Sequence, residues 1–142
     1  MKKLPLLLLV LFLVSCGASS IKTGAGKPLY EVLTQQNDGG ASIRFFEILS
    51  EPNEIGMLKN DDNLKHKVVE EDLKTSNFII LNMGQKNTGG YAIGVESAVE
   101  TDKNIVITVK ETSPDPNAMV TQALTSPFCV VRINSKKEII IK

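Results

Sequence analysis

Few side chains in this sequence could carry covalent or acid–base chemistry. The only histidine, His66, lies in a polar stretch with no metal-ligand partner at helix or strand spacing. Cys129 lies in an apolar run, which predicts a buried and inert thiol. Three adjacent acids, Glu70-Glu71-Asp72, cannot all point one way, so we expect a solvated face or a helix start rather than a calcium site. The sequence therefore predicts no enzymatic activity, no cofactor and no metal site.

A more specific chemical signal surrounds Cys16. Lys2 and Lys3 precede an apolar run from Leu4 to Val14, and the small residue Ser15 comes directly before the cysteine. A basic start, a short apolar run and a small residue at the cut are typical of a secretory signal. The run is shorter than the ~20 residues that cross a bilayer, so we do not expect a transmembrane helix.

The four residues Leu13-Val14-Ser15-Cys16 resemble the lipobox of bacterial lipoproteins. This resemblance implies that residues 1–15 are a cleaved signal peptide and that the Cys16 thiol is acylated, with palmitate among the expected lipids. The protein would then be held at the membrane of the cell envelope, because each buried lipid CH₂ contributes ~0.8 kcal/mol. Gly17, where an Asp would favour the inner membrane, implies the periplasmic face of an outer membrane or the cell surface. A cleaved signal without lipid is the alternative.

The rest of the chain is expected to form one domain. Residues 16–27 are small and polar, which predicts a lipidated flexible tether, and residues 28–142 form the single folded domain. Without Lys2 and Lys3, fourteen basic side chains stand against sixteen acidic ones. No basic cluster occurs, so we expect no nucleic-acid partner. With Cys16 acylated, Cys129 has no partner for an intrachain disulfide.

Strand patterns dominate residues 28–142 and predict a mainly β domain, or an α+β one. We expect a compact antiparallel sheet or sandwich with one or two short helices. The central strand should be residues 78–83, the most apolar stretch, covered on both faces. A short helix over residues 51–58 would be capped by Ser50. Three hairpins are predicted: 29–35 with 42–50, 91–95 with 105–109, and 128–133 with 138–141.

The most distinctive loop is Gly84–Tyr91, between the most apolar strand and an alternating one. Its two adjacent glycines allow positive φ and leave no Cβ in the way of an approaching chain. Tyr91 offers an apolar ring with a polar tip. The residues predicted to bind a partner are Gly84, Asn87, Thr88, Gly89, Gly90 and Tyr91. The alternative is a structural turn, with Tyr91 packed as the first core residue of its strand.

Residues Gly84–Ile93 resemble the signature of the PrcB C-terminal-domain family. A later step of that family, Thr-Ser-Pro followed by an aromatic residue, resembles Leu124–Val131 here, so the resemblance covers about residues 77–133. The family is named for a subunit of a bacterial surface protease complex. The resemblance implies a non-catalytic lipoprotein domain that associates with a secreted protease, or another envelope protein, and stabilises it or helps to activate it.

A weaker resemblance links Asn87–Tyr91 to the Asn-Pro-Thr-Thr-Gly-Tyr loop of chagasin-type inhibitors of cysteine proteases. The chain lacks the proline and one threonine of that loop, has an extra glycine, and contains no tryptophan. This resemblance implies a protease inhibitor as the second hypothesis. A purely structural envelope lipoprotein is the third.

Overall fold

The computed structural model describes residues 26–142, which form two β-sheets and a short helical layer. The predictions for the signal peptide, for Cys16 and for the tether up to residue 25 lie outside this range. The strands are β1 (Tyr30–Gln36), β2 (Phe45–Leu49), β3 (Asn77–Asn82), β4 (Ala92–Glu100), β5 (Asn104–Thr112), β6 (Phe128–Ile133) and β7 (Glu138–Ile141). The helices are α1 (Pro52–Met57) and α2 (Asp72–Thr75), with a 3₁₀ turn at Leu58–Asn60.

The strands divide between a four-stranded and a three-stranded sheet. The first sheet has the order β1-β6-β3-β2, and all of its neighbours are antiparallel. The second has the order β4-β5-β7, with β4 antiparallel and β7 parallel to β5. The predicted mainly β fold with short helices is therefore confirmed. Within residues 26–142, no helix is long and apolar enough to cross a membrane.

The main hydrophobic core lies between the two sheets. Alternate residues of β3 and β6 point into it, and β4, β5 and β7 cover it from the opposite side. Strand alternation explains this division, because neighbouring side chains face opposite sides of a sheet. The buried members are Leu29, Ile79, Leu81, Met83, Ile93, Ala98, Ile105, Ile107, Cys129, Val131, Ile133 and Ile139.

A second core lies on the other face of the four-stranded sheet. Phe78 and Val130 point away from the main core and pack against the helices and turns that follow β2. The buried members are Leu33, Leu49, Ile55, Leu58, Leu64, Val68, Phe78 and Val130. The predicted central strand, β3, is thus covered on both faces, which confirms the interpretation of its continuous apolar run.

The predicted hairpin between the first two strands is wrong. β1 and β2 form opposite edges of the four-stranded sheet, and the connection between them crosses its end. The buried Asn82 side chain holds this crossing: its Oδ1 accepts from the Ala41 N–H (3.0 Å), and its Nδ2 donates to the carbonyls of Ala41 (2.9 Å) and Ile43 (2.6 Å). The turn residues at 37–40 therefore begin a crossover rather than a tight hairpin.

The predicted closing hairpin is also wrong, because β6 and β7 belong to different sheets. β6 already has β1 on one side and β3 on the other, so it has no free edge for β7. β7 instead pairs with β5 and places Ile139 in the main core. The predicted hairpin around residues 101–104, in contrast, is confirmed by the pairing of β4 with β5.

The start of α1 departs from the predicted cap. Glu51, rather than Ser50, occupies the capping position before Pro52. The Glu54 carboxylate accepts hydrogen bonds from the N–H groups of Ser50 and Glu51, both at 3.1 Å. A carboxylate in the first turn also interacts favourably with the helix dipole, so α1 begins without a hydroxyl cap.

Candidate partner-binding site

The loop Gly84–Tyr91 connects β3 of the first sheet with β4 of the second, at one end of the sandwich. Its first residue, Gly84, is buried and has φ of +77°. A Cβ at this position would lie 2.9 Å from the backbone nitrogen of Arg44. Gln85 N–H also donates to the Ser42 carbonyl at 2.9 Å. The loop therefore leaves β3 in tight contact with the segment that precedes β2.

A second loop, residues 113–127, lies directly against the first. Lys86 and Thr125 exchange backbone hydrogen bonds of 2.7 and 3.0 Å, which form an isolated antiparallel bridge. The Thr125 hydroxyl donates to the Thr88 carbonyl at 2.7 Å, and Gly89 N–H donates to the Thr121 carbonyl at 2.9 Å. The glycine-rich stretch and the Thr-Ser-Pro stretch, far apart in sequence, are thus in direct contact.

Gly90 has a structural reason to be glycine. Its φ is +89°, and a Cβ there would lie 2.7 Å from Pro114 Cβ and 3.1 Å from Val120 Cγ1. The close approach that the glycine pair makes possible is therefore used by residues 113–127 of the same chain. A side chain at Gly90 would disturb the packing of the two loops before it reached any partner.

Tyr91 is half-buried and packs against the main core. The Lys86 ammonium lies 5.5 Å from the centroid of its ring, within the range of a cation–π contact. Both features fix the last turn of the loop to β4. They match the alternative of a structural turn with Tyr91 as the first core residue of its strand, and they leave part of Tyr91 exposed at the surface.

The exposed part of this end of the sandwich comes from both loops. In the first loop Gln85, Asn87 and Gly90 are exposed. In the second, Met119 is fully exposed and Leu124 is 61% exposed. We call Asn87, Gly90, Met119 and Leu124 the end surface. Sequence reasoning missed Met119 and Leu124, although apolar residues in a proline-containing, turn-rich stretch are a usable signal of an exposed apolar loop.

The other residues singled out for chemistry lie apart from this surface. His66 is exposed. Cys129 is fully buried in the main core, and desolvation raises the pKa of its thiol to about 11, as expected for an inert thiol. Among residues 26–142, no group of three or more His, Cys, Asp or Glu side chains is placed to hold a metal ion.

The acidic stretch is split between solvent and interior. Glu70 and Glu71 are exposed, but Asp72 is buried at the start of α2. The predicted solvated face is therefore wrong for Asp72, and the predicted helix start is confirmed. Its carboxylate accepts from the Val69 N–H (2.9 Å) and from the Arg132 guanidinium (3.1 Å). Asp72 therefore ties the helical layer to β6 and is a structural residue.

Comparison with known proteins locates both loops in one family segment. Residues 77–134 match the family model described as PrcB C-terminal. This segment of the chain is similar to the PrcB C-terminal family. No curated protein and no solved structure matches the chain. The predicted family resemblance is confirmed, whereas the resemblance to chagasin-type inhibitors gains no support.

The PrcB C-terminal segment contains the structural centre of the domain. It runs from the start of β3 to just beyond β6 and includes the β4–β5 hairpin and both contacting loops. β1, β2, the helices and β7 lie outside it and complete the two sheets around it. The two sequence motifs of the segment meet at the Lys86–Thr125 bridge and so form one structural unit.

Proposed function

We propose that this protein is a bacterial envelope lipoprotein whose domain binds a protein of a secreted or surface protease complex and stabilises it without catalysis. The observation that carries the proposal is the PrcB C-terminal match, because the two loops of the end surface both lie within residues 77–134. A protein-binding role also fits a domain whose two loops contact each other closely and expose Asn87, Met119 and Leu124.

The contacts between the two loops support a docking role for the side chains that the loops expose. Backbone bonds at Lys86–Thr125 and Gly89–Thr121 tie the two loops together, so their backbone needs little ordering on binding. Such preorganisation reduces the entropy cost of association. Met119 and Leu124 supply apolar area, and Asn87 supplies an amide that can donate and accept hydrogen bonds.

The docking proposal is tested by capturing envelope proteins on the purified protein and quantifying them by mass spectrometry. Asn87→Arg and Met119→Glu alter exposed side chains of the end surface and should each remove the specific partner. Asn53→Arg places the same charge on exposed α1 and is the control. Recovery of the same proteins by all four chains would refute docking at the end surface. Gly90→Arg is unsuitable, because Pro114 already fills the space it needs.

The proposed anchor is Cys16, with the tether of residues 16–27 between the lipid and the domain. About ten extended residues reach ~30–35 Å, so the domain could meet a partner well clear of the membrane surface. Cells grown with labelled palmitate should label the wild-type chain and Cys129→Ala, but not Cys16→Ala. Equal labelling of the two cysteine variants would refute acylation at Cys16 and leave the docking proposal to its own test.

A further inference from the structure

The four edges of the two sheets differ in how they are protected against pairing with another strand. Within residues 26–142, β1 and β4 each carry a register shift, at Val32/Thr34 and Val95/Ser97. β7 has only four residues and follows directly on two lysines, Lys136 and Lys137. Bulges, short length and lysines are the usual means by which proteins prevent edge pairing.

β2 has no register shift, no lysine and no proline, and its one charged side chain is the exposed Glu47. It pairs with β3 over its whole length. Apolar side chains are exposed on and beside it: Ile43 is 74% exposed, Ile48 38% and Phe45 37%. A regular edge strand with exposed apolar side chains is a template for another strand, because one side of its backbone remains free to pair.

We propose that the β2 edge pairs with the β2 edge of a second copy of this chain, in antiparallel orientation, so that two four-stranded sheets join into one. The charges of the segment are compatible with this occupant. With Phe46 opposite Phe46, Arg44 lies opposite Ile48 and Glu47 lies opposite Phe45. No charged residue then directly faces a like charge, a pairing that would destabilise the sheet, and the two Glu47 carboxylates are diagonal neighbours rather than opposite each other.

The charge pattern also excludes one neighbouring register. Centring the pair on Glu47 would place two carboxylates opposite each other, which disfavours that arrangement. In the Phe46-centred register, Arg44 lies diagonally across from Phe46 of the second copy. The Arg44 guanidinium, whose Nε also donates to the Glu111 carboxylate at 3.0 Å, lies 4.4 Å from the centroid of its own Phe46 ring, and this register adds the second Phe46 ring on its other side. Five-residue edges bury a small area, which indicates a transient pair rather than a permanent dimer.

The experiment uses the full chain in cells, with two differently tagged copies expressed together. One copy carries Phe45→Cys and the other Glu47→Cys, residues that lie opposite each other in the proposed register. After mild oxidation, the mixed disulfide should exceed the disulfide of either variant with itself several-fold. The wild-type pair, which retains Cys16 and Cys129, gives the background. Ser97→Cys with Val99→Cys on the bulged β4 edge is the matched control and should give only background.

Ile48→Lys, introduced into both copies, should reduce the mixed disulfide to background, since lysines would then flank the paired edge. Three results would overturn the proposal: a mixed disulfide no stronger than that of the β4 control, a mixed disulfide that Ile48→Lys leaves unchanged, or crosslinks to another protein only. A dominant disulfide of Phe45→Cys with itself would overturn the register. None of these readouts depends on a protease partner.

Discussion

Asn82 should contribute more to stability than its single polar side chain suggests, because it holds the connection that crosses the end of the four-stranded sheet. Its side chain is 1% exposed and forms three hydrogen bonds to the backbone of Ala41 and Ile43, at 2.6–3.0 Å. Asn82→Ala removes all three bonds. Each contributes about 1 kcal/mol net, so the free energy of unfolding should fall by about 3 kcal/mol.

Guanidinium unfolding followed by far-UV circular dichroism measures this loss, and a thermal scan should show a decrease in Tm of about 10 °C. Asn87→Ala removes the same amide from an exposed position and should cost less than about 0.5 kcal/mol. A loss below about 1 kcal/mol for Asn82→Ala, or an equal loss for both variants, would refute the role assigned to Asn82 in the crossover.

Asn82→Asp separates the hydrogen bonds from the volume of the side chain. The carboxylate could still accept from the Ala41 N–H, but it would face the carbonyls of Ala41 and Ile43 without a proton to donate. Burial and these carbonyls should raise the pKa of the introduced carboxyl above its unfolded value of ~3.9. The unfolded chain then loses its proton first as pH rises, so the variant should be least destabilised below about pH 4 and increasingly destabilised above it. A pH-independent difference from wild type would contradict this reasoning.

Three further outcomes follow from named contacts. Gly90→Ala should destabilise the domain by about 1–3 kcal/mol in chemical unfolding, because Gly90 has φ of +89° and Pro114 lies in the way. Gly89→Ala is its neighbouring control, since a Cβ there meets Thr121 Cβ only at 3.4 Å, and should cost far less. Cys129 has a thiol pKa of about 11 and no exposed surface, so it should resist iodoacetamide at pH 8 until the protein unfolds. Peptide mapping measures the labelling, and fast labelling of the folded protein would contradict the burial of Cys129. Arg132→Met should lower the free energy of unfolding by about 2–4 kcal/mol, because the Asp72 carboxylate then stays buried without the guanidinium it pairs with. Adding Asp72→Leu to the same chain should recover much of that loss. If the losses of the two single variants simply add in the double variant, the pairing of Arg132 with Asp72 is refuted.

The sequence predicts the strands better than their pairing. Hydrophobic alternation and turn residues locate nearly every strand, because both signals are local. Pairing depends on which strand has a free edge. β6 is occupied on both sides, so β7 cannot close a hairpin with it, and Asn82 fixes a crossover where local turn signals favour a hairpin. These constraints arise from contacts between residues about forty or more positions apart in the sequence, and a local sequence pattern carries no information about such contacts.

For the candidate site, the motif could be predicted but its contacts could not. The glycine-rich signature and the Thr-Ser-Pro step are visible in the sequence, whereas their meeting at the Lys86–Thr125 bridge is a tertiary fact. The glycine pair predicts that a chain approaches closely, yet not that residues 113–127 of the same molecule do so. Met119 was missed because exposure of a single apolar side chain in a loop depends on what packs around it.

At the end surface, the residues that hold the two loops together differ from the residues that are exposed to a partner, and this difference affects partner choice. Gly89, Gly90 and Thr125 contact the facing loop, and Gly84 contacts the segment before β2, so these residues determine the shape of the surface. Asn87, Met119 and Leu124 protrude from that shape and are free to contact another protein. Substitutions at Gly84 or Gly90 should therefore lower stability and binding together, whereas substitutions at Asn87 or Met119 should change binding at constant stability. The same fold could in this way present different side chains, and so select different partners, without any change in the packing that holds the loops together.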